Sequence, residues 1–410
     1  MKPQLLAPAG DFTMLRTAID SGADAVYFGV KELNMREAGS TNFSLEELGE
    51  ITRLCKENNV KTCLTVNTII YDGEEEFVDK ILVAAKKAGV DAIIAWDLMV
   101  LEKAAEQGLE THLSTQASAA NFHALKSYHE KYGVKRFVLA RELDLEQIKS
   151  IKEKIVEENL GVEIECFVHG AMCIAISGRC FMSLAANCRS ANRGKCIQVC
   201  RRQYKVIDIE EGTEMILDNN FVMSPKDLCT MPIIDKLIEA DIDVFKIEGR
   251  ARSPEYVKTV VSAYRKAIDA YEQGELTDEL KTQLLKKMEE VYNRGFETGF
   301  YMGKPLNAWA GSYGSKATTR KIYLGTLSNY YTKPGIAEVK LESDTIAEGD
   351  QYYIIGKKTG VVKEEMPEFM VDDQFVDLAE KGDIVTFKAP KAREGDKFYK
   401  VVKTTKEMEQ

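Results

Sequence analysis

The first two-thirds of the chain alternates short runs of β-branched and other apolar residues with longer runs of amphipathic helical pattern. Seven apolar runs, from QLLAPA to VEIECFVHG, come before residue 171, and an eighth, DVFKIEG, follows a helical run near MPIIDKLIEA. Several helical runs end in Gly or Asn just before the next apolar run, which is typical of helix C-caps. Apolar strands joined by crossover helices indicate a buried parallel sheet. Eight repeats favour an α/β fold with a closed (β/α)8 TIM-like barrel over an open sheet.

The pattern changes twice after the seventh predicted strand. A long insertion, about residues 170–228, separates FVHG from the last crossover helix and contains the clustered cysteines. From about Lys321 onward, segments such as KIYLGTLSNYY and DIVTFKAP alternate in polarity and are split by turn residues, which predicts antiparallel strands. We therefore predict a TIM-like barrel over residues 1–310, carrying the cysteine-rich insertion and the active site. Residues 318–410 would form a small C-terminal antiparallel β-barrel domain that could contact RNA.

Composition and charge exclude several classes of protein. The formal net charge of −10 opposes indiscriminate binding to nucleic acid or anionic membranes, although it leaves room for a local basic patch. The N-terminal sequence MKPQLLAPAGDF has no long apolar run after a basic start, so we expect no secretory signal. No apolar run reaches the length of a membrane span. We expect a cytoplasmic protein, in which nine cysteines would not form a disulfide framework.

Six of the nine cysteines lie between Cys166 and Cys200, and four of them have a spacing that suggests metal binding. These four are Cys173, Cys180, Cys196 and Cys200, which lie in a glycine-containing region without regular periodicity. They form a C-x6-C pair and a C-x3-C pair separated by fifteen residues. A structural zinc site would usually show paired C-x2-C or C-x4-C motifs, and a redox disulfide needs only two cysteines. A 4Fe–4S cluster needs four thiolates and tolerates variable spacing. The spacing favours the cluster and leaves zinc open, whereas Cys55, Cys63 and Cys166 are predicted to be core residues.

The cysteine segment also carries a resemblance to a known family. FVHGAMCIAISGRCFMS and ANRGKCIQVCRRQY, with the flanking APAG, GADAVYFG, STQAS, LARE, SPKDLC and KIEGR, closely resemble peptidase family U32, the collagenase-like peptidases. The likeness spans nearly the whole chain. It implies relatives that carry a 4Fe–4S cluster and hydroxylate without molecular oxygen. One branch, the tRNA hydroxylation protein P type, makes 5-hydroxyuridine at the wobble position of tRNA with prephenate as co-substrate. Other branches hydroxylate a cytidine of 23S rRNA or ubiquinone precursors.

Length and the appended β domain favour the tRNA branch. On the resemblance, the four cysteines of the C-x6-C and C-x3-C pairs fall on the ligand pattern of the RNA-acting branches. Cys229, in SPKDLC, is an alternative ligand, and Cys188 is a weaker one. RNA contact would be confined to a local basic surface that includes the β domain and five residues of the insertion: Arg189, Arg193, Lys195, Arg201 and Arg202. The sequence gives no indication of the oligomeric state.

Polar residues at the predicted C-terminal ends of the strands are the candidates for the active site, because a TIM barrel builds its site there. Asp97 has an alternative role as a helix N-cap. Prephenate carries two carboxylates, so arginines suit its recognition. The predicted substrate-binding residues are Asn67, Gln116, Arg141, Arg179 and Arg250. The predicted catalytic residues are His169, as a proton carrier, and Glu248, as an acid or base unless it forms a salt bridge to Lys246 or Arg250.

Two other functions compete with hydroxylation. A peptidase would need a nucleophile with a base, or a metal-bound water, and the sequence has neither GxSxG nor HExxH. A pair of His169 with Cys173 is formally possible, but a thiolate bound to iron is not free to attack a peptide. A non-catalytic RNA-binding module would leave the cysteines and the polar strand ends without a purpose. The hydroxylase is therefore the main hypothesis, with the peptidase and the ribosomal RNA hydroxylase as alternatives.

Overall fold

The first part of the chain folds into a closed parallel barrel. The computed structural model describes residues 2–212, 214–215, 221–305, 308–311 and 314–404. Each barrel strand pairs in parallel with its neighbours in chain order, and the eighth pairs with both the first and the seventh, which closes the barrel. The eight barrel strands, numbered in chain order, are Gln4–Pro8, Ala25–Gly29, Lys61–Val66, Ala92–Ala95, Glu110–Leu113, Arg136–Val138, Glu163–Gly170 and Val244–Ile247. The predicted TIM-like barrel is confirmed.

Amphipathic helices cover the outside of the barrel, and their apolar faces form the main core with the strands. Three helices have an N-cap side chain that accepts a hydrogen bond from the backbone N–H of the third helical residue: Asp11, Asn121 and Asp144. Tyr256 and Tyr264 of the longest helix are fully buried. The described α-helices of the barrel are Phe12–Asp20, Leu48–Lys56, Glu75–Ala88, Leu98–Glu106, Phe122–Tyr132, Leu145–Glu157, Ile234–Glu239, Pro254–Glu272 and Asp278–Glu289. No helix of the described chain is long and apolar enough to cross a lipid bilayer.

The interior of the barrel contains a buried ionic network. Lys246 Nζ lies 2.6 Å from Glu165 Oε1, and Arg136 Nη1 lies 3.7 Å from Glu165 Oε2. Arg136 also pairs with Glu163 at 2.6 Å. The Lys246 ammonium lies 4.6 Å from the centre of the Tyr27 ring. Because burying an unpaired charge is costly, this pairing holds the charged side chains in place beneath the barrel mouth.

The cysteine-rich insertion lies after barrel strand 7, as predicted. It contains the helix Met182–Asn187 and the paired short strands Val206–Ile207 and Glu214–Met215. It returns through the strand Asp227–Cys229, which pairs antiparallel with the end of barrel strand 7 and parallel with Phe296–Glu297. Gly194 has φ +74° and sits so close to the loop after barrel strand 2 that a Cβ would overlap the Asn34 carbonyl oxygen. This contact seats the insertion against that loop.

The C-terminal part is antiparallel, as predicted, and has an apolar core of its own that includes Leu324, Tyr352, Phe369, Phe387 and Phe398. Ion pairs join it to the barrel, with Lys363 Nζ 2.6 Å from Glu290 and Lys321 Nζ 2.9 Å from Glu255. Eight of its strands form one sheet, and the two strands of two residues form a separate pair. The strands are Thr319–Tyr331, Ile336–Lys340, Ile346–Ala347, Gln351–Gly356, Gly360–Glu365, Phe369–Val371, Gln374–Val376, Leu378–Ala379, Ile384–Lys388 and Lys397–Lys403.

Candidate functional site

The barrel mouth and the insertion enclose a cavity of about 160 Å³ with many polar side chains in its lining, which we call the inner cavity. Its floor comes from the C-terminal ends of the barrel strands and from Tyr27 and Lys246. The insertion contributes Cys173, Cys196 and Cys200. Five of the seven predicted substrate-binding and catalytic residues line this one space: Asn67, Gln116, Arg141, Glu248 and Arg250. The structure thus brings together residues from the ends of four different barrel strands.

Two predicted residues, Arg179 and His169, are not among those that line the inner cavity. The Arg179 guanidinium donates to the Gln116 carbonyl oxygen at 3.3 Å and lies 5.3 Å from the Trp96 ring centre. His169 packs against the rings of Tyr256, Tyr264 and Phe296. Burial among these rings lowers the pKa of His169 to about 3, so its imidazole is neutral. Asp97 caps the helix Leu98–Glu106, which bears out the alternative considered for it.

Two polar side chains of the inner cavity are held by neighbouring loops. Asn67 Oδ1 accepts a hydrogen bond from Met35 N at 3.2 Å, and its amide donates to Ser114 Oγ at 3.4 Å. Gln116 Nε2 donates to the Ser177 carbonyl oxygen at 3.2 Å, and Gln116 Oε1 accepts from Ser114 Oγ. Gln116 therefore connects the barrel mouth to the insertion, and both amides have fixed orientations.

Among the described residues, three guanidinium groups that line the inner cavity have no carboxylate partner: those of Arg141, Arg201 and Arg250. In the same part of the chain, Arg250 donates only to Asn34 Oδ1 at 3.1 Å and Thr65 Oγ1 at 3.0 Å. Arg201 donates to Ser224 Oγ and to the carbonyl oxygens of Met172 and Pro225. Burial lowers the pKa of all three groups, that of Arg250 to about 10. Uncompensated buried cations are costly, so this cavity is built to receive an anion.

Arg141 has the most incomplete set of hydrogen bonds of the three. Its Nη1 donates to the Ala171 carbonyl oxygen at 3.1 Å, and the guanidinium lies 4.7 Å from the centre of the Phe167 ring. Its Nε and Nη2 are buried and have no hydrogen-bond partner among the described residues. These two donors lie on one edge of the guanidinium, which matches the two oxygens of a carboxylate.

Glu248 is paired with an arginine that the sequence analysis did not single out. Arg36 donates to Glu248 Oε1 from Nη2 at 2.9 Å and from Nε at 3.2 Å, and Ala171 N donates to Oε2 at 3.3 Å. Burial alone would raise the pKa of the Glu248 carboxyl, but the Arg36 and Arg252 guanidiniums hold it at about 2. The suggested partners were wrong, since Lys246 pairs with Glu165 and Arg250 with neutral groups. The only signal for Arg36 was its place in an irregular segment directly after a barrel strand.

Three of the four predicted cysteine ligands, Cys173, Cys196 and Cys200, line the inner cavity. Three of the four sulfurs accept hydrogen bonds at 3.4 Å from the backbone N–H two residues later, at Cys173, Cys180 and Cys196. Burial raises the pKa of the Cys200 thiol, and the charges of the other three thiols raise it further. Cys180 does not line the inner cavity. No three Cys, His, Asp or Glu side chains of the described residues are close enough together to bind a single metal ion.

The remaining cysteines differ from these four in their surroundings. Cys229 is buried against the Tyr264 hydroxyl, and burial raises the pKa of its thiol to about 12. Cys188 is exposed. Cys55, Cys63 and Cys166 are buried, as predicted for core residues. Neither Cys229 nor Cys188 lines the inner cavity.

The predicted basic surface of the insertion is largely engaged within the protein. Arg193 pairs with Glu74 at 2.6 Å, and Lys195 pairs with Glu37 at 3.3 Å. Arg201 is directed to backbone carbonyl groups inside the site. Arg189 and Arg202 are exposed. Only these two of the five insertion residues remain as freely accessible cations at the surface.

Comparison with known proteins gives a family and named relatives. A family model described as peptidase family U32 matches residues 10–311. A collagenase of Porphyromonas gingivalis is 43% identical over 404 residues, covering 97% of each chain. The tRNA hydroxylation protein P1 of Bacillus subtilis is 38% identical over 337 residues, covering 80% of this chain and 78% of that protein. A 23S rRNA 5-hydroxycytidine synthase of Escherichia coli is 37% identical over 275 residues, covering 67% of this chain and 40% of that protein.

Proposed function

The chain belongs to peptidase family U32, and within this family we propose that it hydroxylates uridine in tRNA, at the wobble position, with prephenate as the oxygen donor and a 4Fe–4S cluster beside it. The observation that carries the proposal is the inner cavity, where three guanidiniums without a carboxylate partner face the same space as three cysteines of the insertion. The similarity to a protein named for tRNA hydroxylation supports the choice of RNA.

The donor would be bound by Arg141 and Arg250. Prephenate has two carboxylates, and the unpartnered Nε and Nη2 of Arg141 offer a bidentate site for one of them. Arg250 donates only to neutral oxygens, so its charge is available for the second. Asn67 and Gln116 have fixed amides that would orient the rest of the molecule.

The cluster would be held by Cys173, Cys180, Cys196 and Cys200. Backbone N–H groups donate hydrogen bonds to three of these sulfurs, a contact that tunes the reduction potential of a bound cluster. A zinc ion would need its ligands about 2.3 Å from one point, whereas a cluster of four irons joins thiolates that stand farther apart. The charges of Cys173, Cys180 and Cys196 all act on the Cys200 thiol, which supports a site shared by the four cysteines. A bound cluster would supply an electron-rich centre next to the donor.

The roles of Glu248 and His169 change in this proposal. A carboxyl with a pKa of about 2 is a weak base at neutral pH, so we assign Glu248 the role of positioning Arg36 and the backbone at Ala171. His169 is neutral and packed among aromatic rings outside the cavity lining. We assign it to the packing that fixes the end of barrel strand 7, next to the first cysteine ligand.

Peptide hydrolysis is the second candidate because the collagenase relative has the higher identity. The cavity does not supply its chemistry. A cysteine peptidase needs a basic imidazole beside the thiol, and none of the histidines His112, His123, His129 and His169 lines the inner cavity. Glu248 cannot serve instead, because the two arginines lower its pKa to about 2 and make it too weak a base. An arginine-rich cavity also suits a dianion better than a neutral peptide bond.

Mass spectrometry of nucleosides tests the proposal. We expect tRNA from a strain lacking the gene to lose 5-hydroxyuridine, and the wild-type gene to restore it. The gene carrying Arg141→Met should not restore it. Purified anaerobically, the protein should form 5-hydroxyuridine in unmodified tRNA only when prephenate is added. If the deletion strain keeps normal 5-hydroxyuridine without a paralogue to supply it, the tRNA assignment is wrong. Loss of 5-hydroxycytidine from its 23S rRNA would then assign the ribosomal branch, and cleavage of gelatin by the purified protein would assign the peptidase.

A further inference from the structure

A second, larger cavity adjoins the inner one. This outer cavity has a volume of about 530 Å³. The two share one wall, made of Thr115, Arg141, Met172, Cys173 and Ser177. The far side is formed by described residues that follow the strand Phe296–Glu297, including Phe300 and Trp309. A group bound in the outer cavity would therefore lie against Cys173 itself, and a single layer of side chains would separate it from a donor in the inner cavity.

The lining of the outer cavity is mainly apolar, with charged groups among it. Apolar lining is supplied by Ile174, Ile176, Leu228, Phe300 and Trp309. Two ammonium groups, of Lys226 and Lys304, also line it, and neither has a hydrogen-bond or ion-pair partner among the described residues. The carboxylates of Glu142 and Glu297 complete the charged set. The aromatic rings in this lining could stack on a planar ligand, the lysine ammonium groups could bind phosphate, and the glutamate carboxylates could accept hydrogen bonds from N–H groups.

Trp309 is held in place although its side chain is 43% exposed. The backbone on both sides of it pairs with the insertion: Lys226 N donates to the Ala308 carbonyl oxygen at 2.6 Å, and Ala310 N donates to that of Ser224 at 2.7 Å. Ser224 Oγ accepts in turn from Arg201, which lines the inner cavity. An exposed aromatic ring on a fixed backbone, beside free cations, is the usual platform for an unpaired base.

We propose that the outer cavity receives the target pyrimidine, turned out of the RNA, with its C5 edge towards the wall formed by Arg141 and Cys173. The base would stack on Trp309, and Lys226 and Lys304 would bind the flanking phosphates. This inference rests on the proposed function, since it gives the RNA substrate its place beside the donor. It also accounts for the small share of free cations on the insertion surface, because contact with RNA is concentrated at the cavity.

Tryptophan fluorescence tests the proposal directly, because the chain has only two tryptophans, Trp96 and Trp309. A stem–loop RNA with a uridine at the target position should quench the emission of the wild-type protein. The same RNA with an abasic site there should not, and Trp309→Phe should abolish the quenching. In filter binding, Trp309→Ala should weaken binding of the uridine RNA about tenfold, and Trp309→Phe should weaken it less. Met302→Ala is the control, because Met302 is 54% exposed in the same segment but does not line the cavity.

The salt dependence tests the two lysines. Replacing both Lys226 and Lys304 by Ala should lower the slope of log K against log salt by about 1.4, the value for two contacts to single-stranded phosphates. Equal quenching by the abasic RNA, or unchanged binding by Trp309→Ala, would overturn the nucleobase site. Quenching by an apolar peptide and not by RNA would assign the cavity to a peptide side chain. If the wild-type protein shows the expected quenching but makes no 5-hydroxyuridine with prephenate, the proposed function fails while the base site stands.

Discussion

Replacing Arg141 by Met should separate function from stability. In the absence of a donor, the Arg141 guanidinium is buried with Nε and Nη2 unpartnered among the described residues. Its favourable interactions are one hydrogen bond to the Ala171 carbonyl oxygen and the contact with the Phe167 ring. Met has a similar length and no polar group, so it keeps most of the packing and removes the unsatisfied donors. We expect Arg141→Met to lose prephenate binding and to keep the fold.

The expected free-energy changes follow from these contacts. Two unsatisfied N–H groups cost about 1–3 kcal/mol each. The hydrogen bond and the cation–π contact that Met removes offset about 2 kcal/mol of that cost. Arg141→Met should therefore leave the free energy of unfolding of the ligand-free protein unchanged or raise it by up to about 4 kcal/mol. Loss of a buried charge partner should weaken prephenate binding by about 2–5 kcal/mol, or at least about 30-fold.

Arg136→Met is the matched control, because Arg136 is a buried arginine that has carboxylate partners. It pairs with Glu163 at 2.6 Å and lies 3.7 Å from Glu165, whose Oε2 has no hydrogen-bond partner among the described residues. Removing it leaves buried negative charge and should destabilise the protein by about 3–5 kcal/mol. Only Arg141→Met should keep the fold while losing the donor.

Thermal unfolding with and without prephenate measures both effects. At a prephenate concentration of about 100 times Kd, wild-type protein should gain about 2.7 kcal/mol, which raises its Tm. Arg141→Met should show the wild-type Tm or a higher one without prephenate, and no rise when prephenate is added. If Arg141→Met lowers the Tm as much as Arg136→Met does, the protein itself satisfies the Arg141 donors and the reasoning is refuted. A normal rise with prephenate in Arg141→Met would place the donor elsewhere.

Three further predictions concern the cluster, the Glu248 pair and the seat of the insertion. Anaerobically purified protein should contain about four irons per chain. Cys55→Ser should keep this iron, whereas replacement by Ser of any one of the four proposed ligands, Cys173, Cys180, Cys196 or Cys200, should remove it. One tightly bound zinc ion per chain would contradict this prediction. Because the pKa of Glu248 is lowered to about 2, the ionised carboxylate should contribute about 3 kcal/mol to stability above the unfolded pKa near 4.5 and lose that contribution as the pH falls towards 2. Glu248→Gln should therefore flatten the acid limb of a plot of the free energy of unfolding against pH. An unchanged acid limb would show that Arg36 does not hold the carboxylate. Gly194→Ala should lower the Tm and the iron content, because it should reduce the free energy of unfolding by about 2–4 kcal/mol. Gly212→Ala is the control: Gly212 has a similar φ of +70° and open space around it, so this substitution should cost about 1 kcal/mol. Equal effects of the two substitutions would mean that the close approach of Gly194 to Asn34 does not affect stability.

The sequence by itself determined the barrel, the position of the insertion and most of the residues of the inner cavity. The short apolar runs that alternate with helical runs identified the strands. The carboxyl ends of parallel strands in a barrel meet at one rim. For that reason Asn67, Gln116, Arg141, Glu248 and Arg250 could be placed together before any contact was known, and the structure has all five around one space. The antiparallel C-terminal part was predictable in the same way, from a period of two interrupted by turn residues.

Only the tertiary structure decided which way the strand-end side chains turn and what they pair with. Arg36 and Glu248 are 212 positions apart, and no local pattern links them. His169 is turned into a cluster of rings because the strand Asp227–Cys229 pairs beside it and the helix Pro254–Glu272 packs against it. The outer cavity is likewise assembled from segments far apart in the chain. A strand's period fixes the face on which a residue lies, but the loops and extra strands that pack over its end fix the direction of the side chain, and with it the chemistry that the side chain can perform.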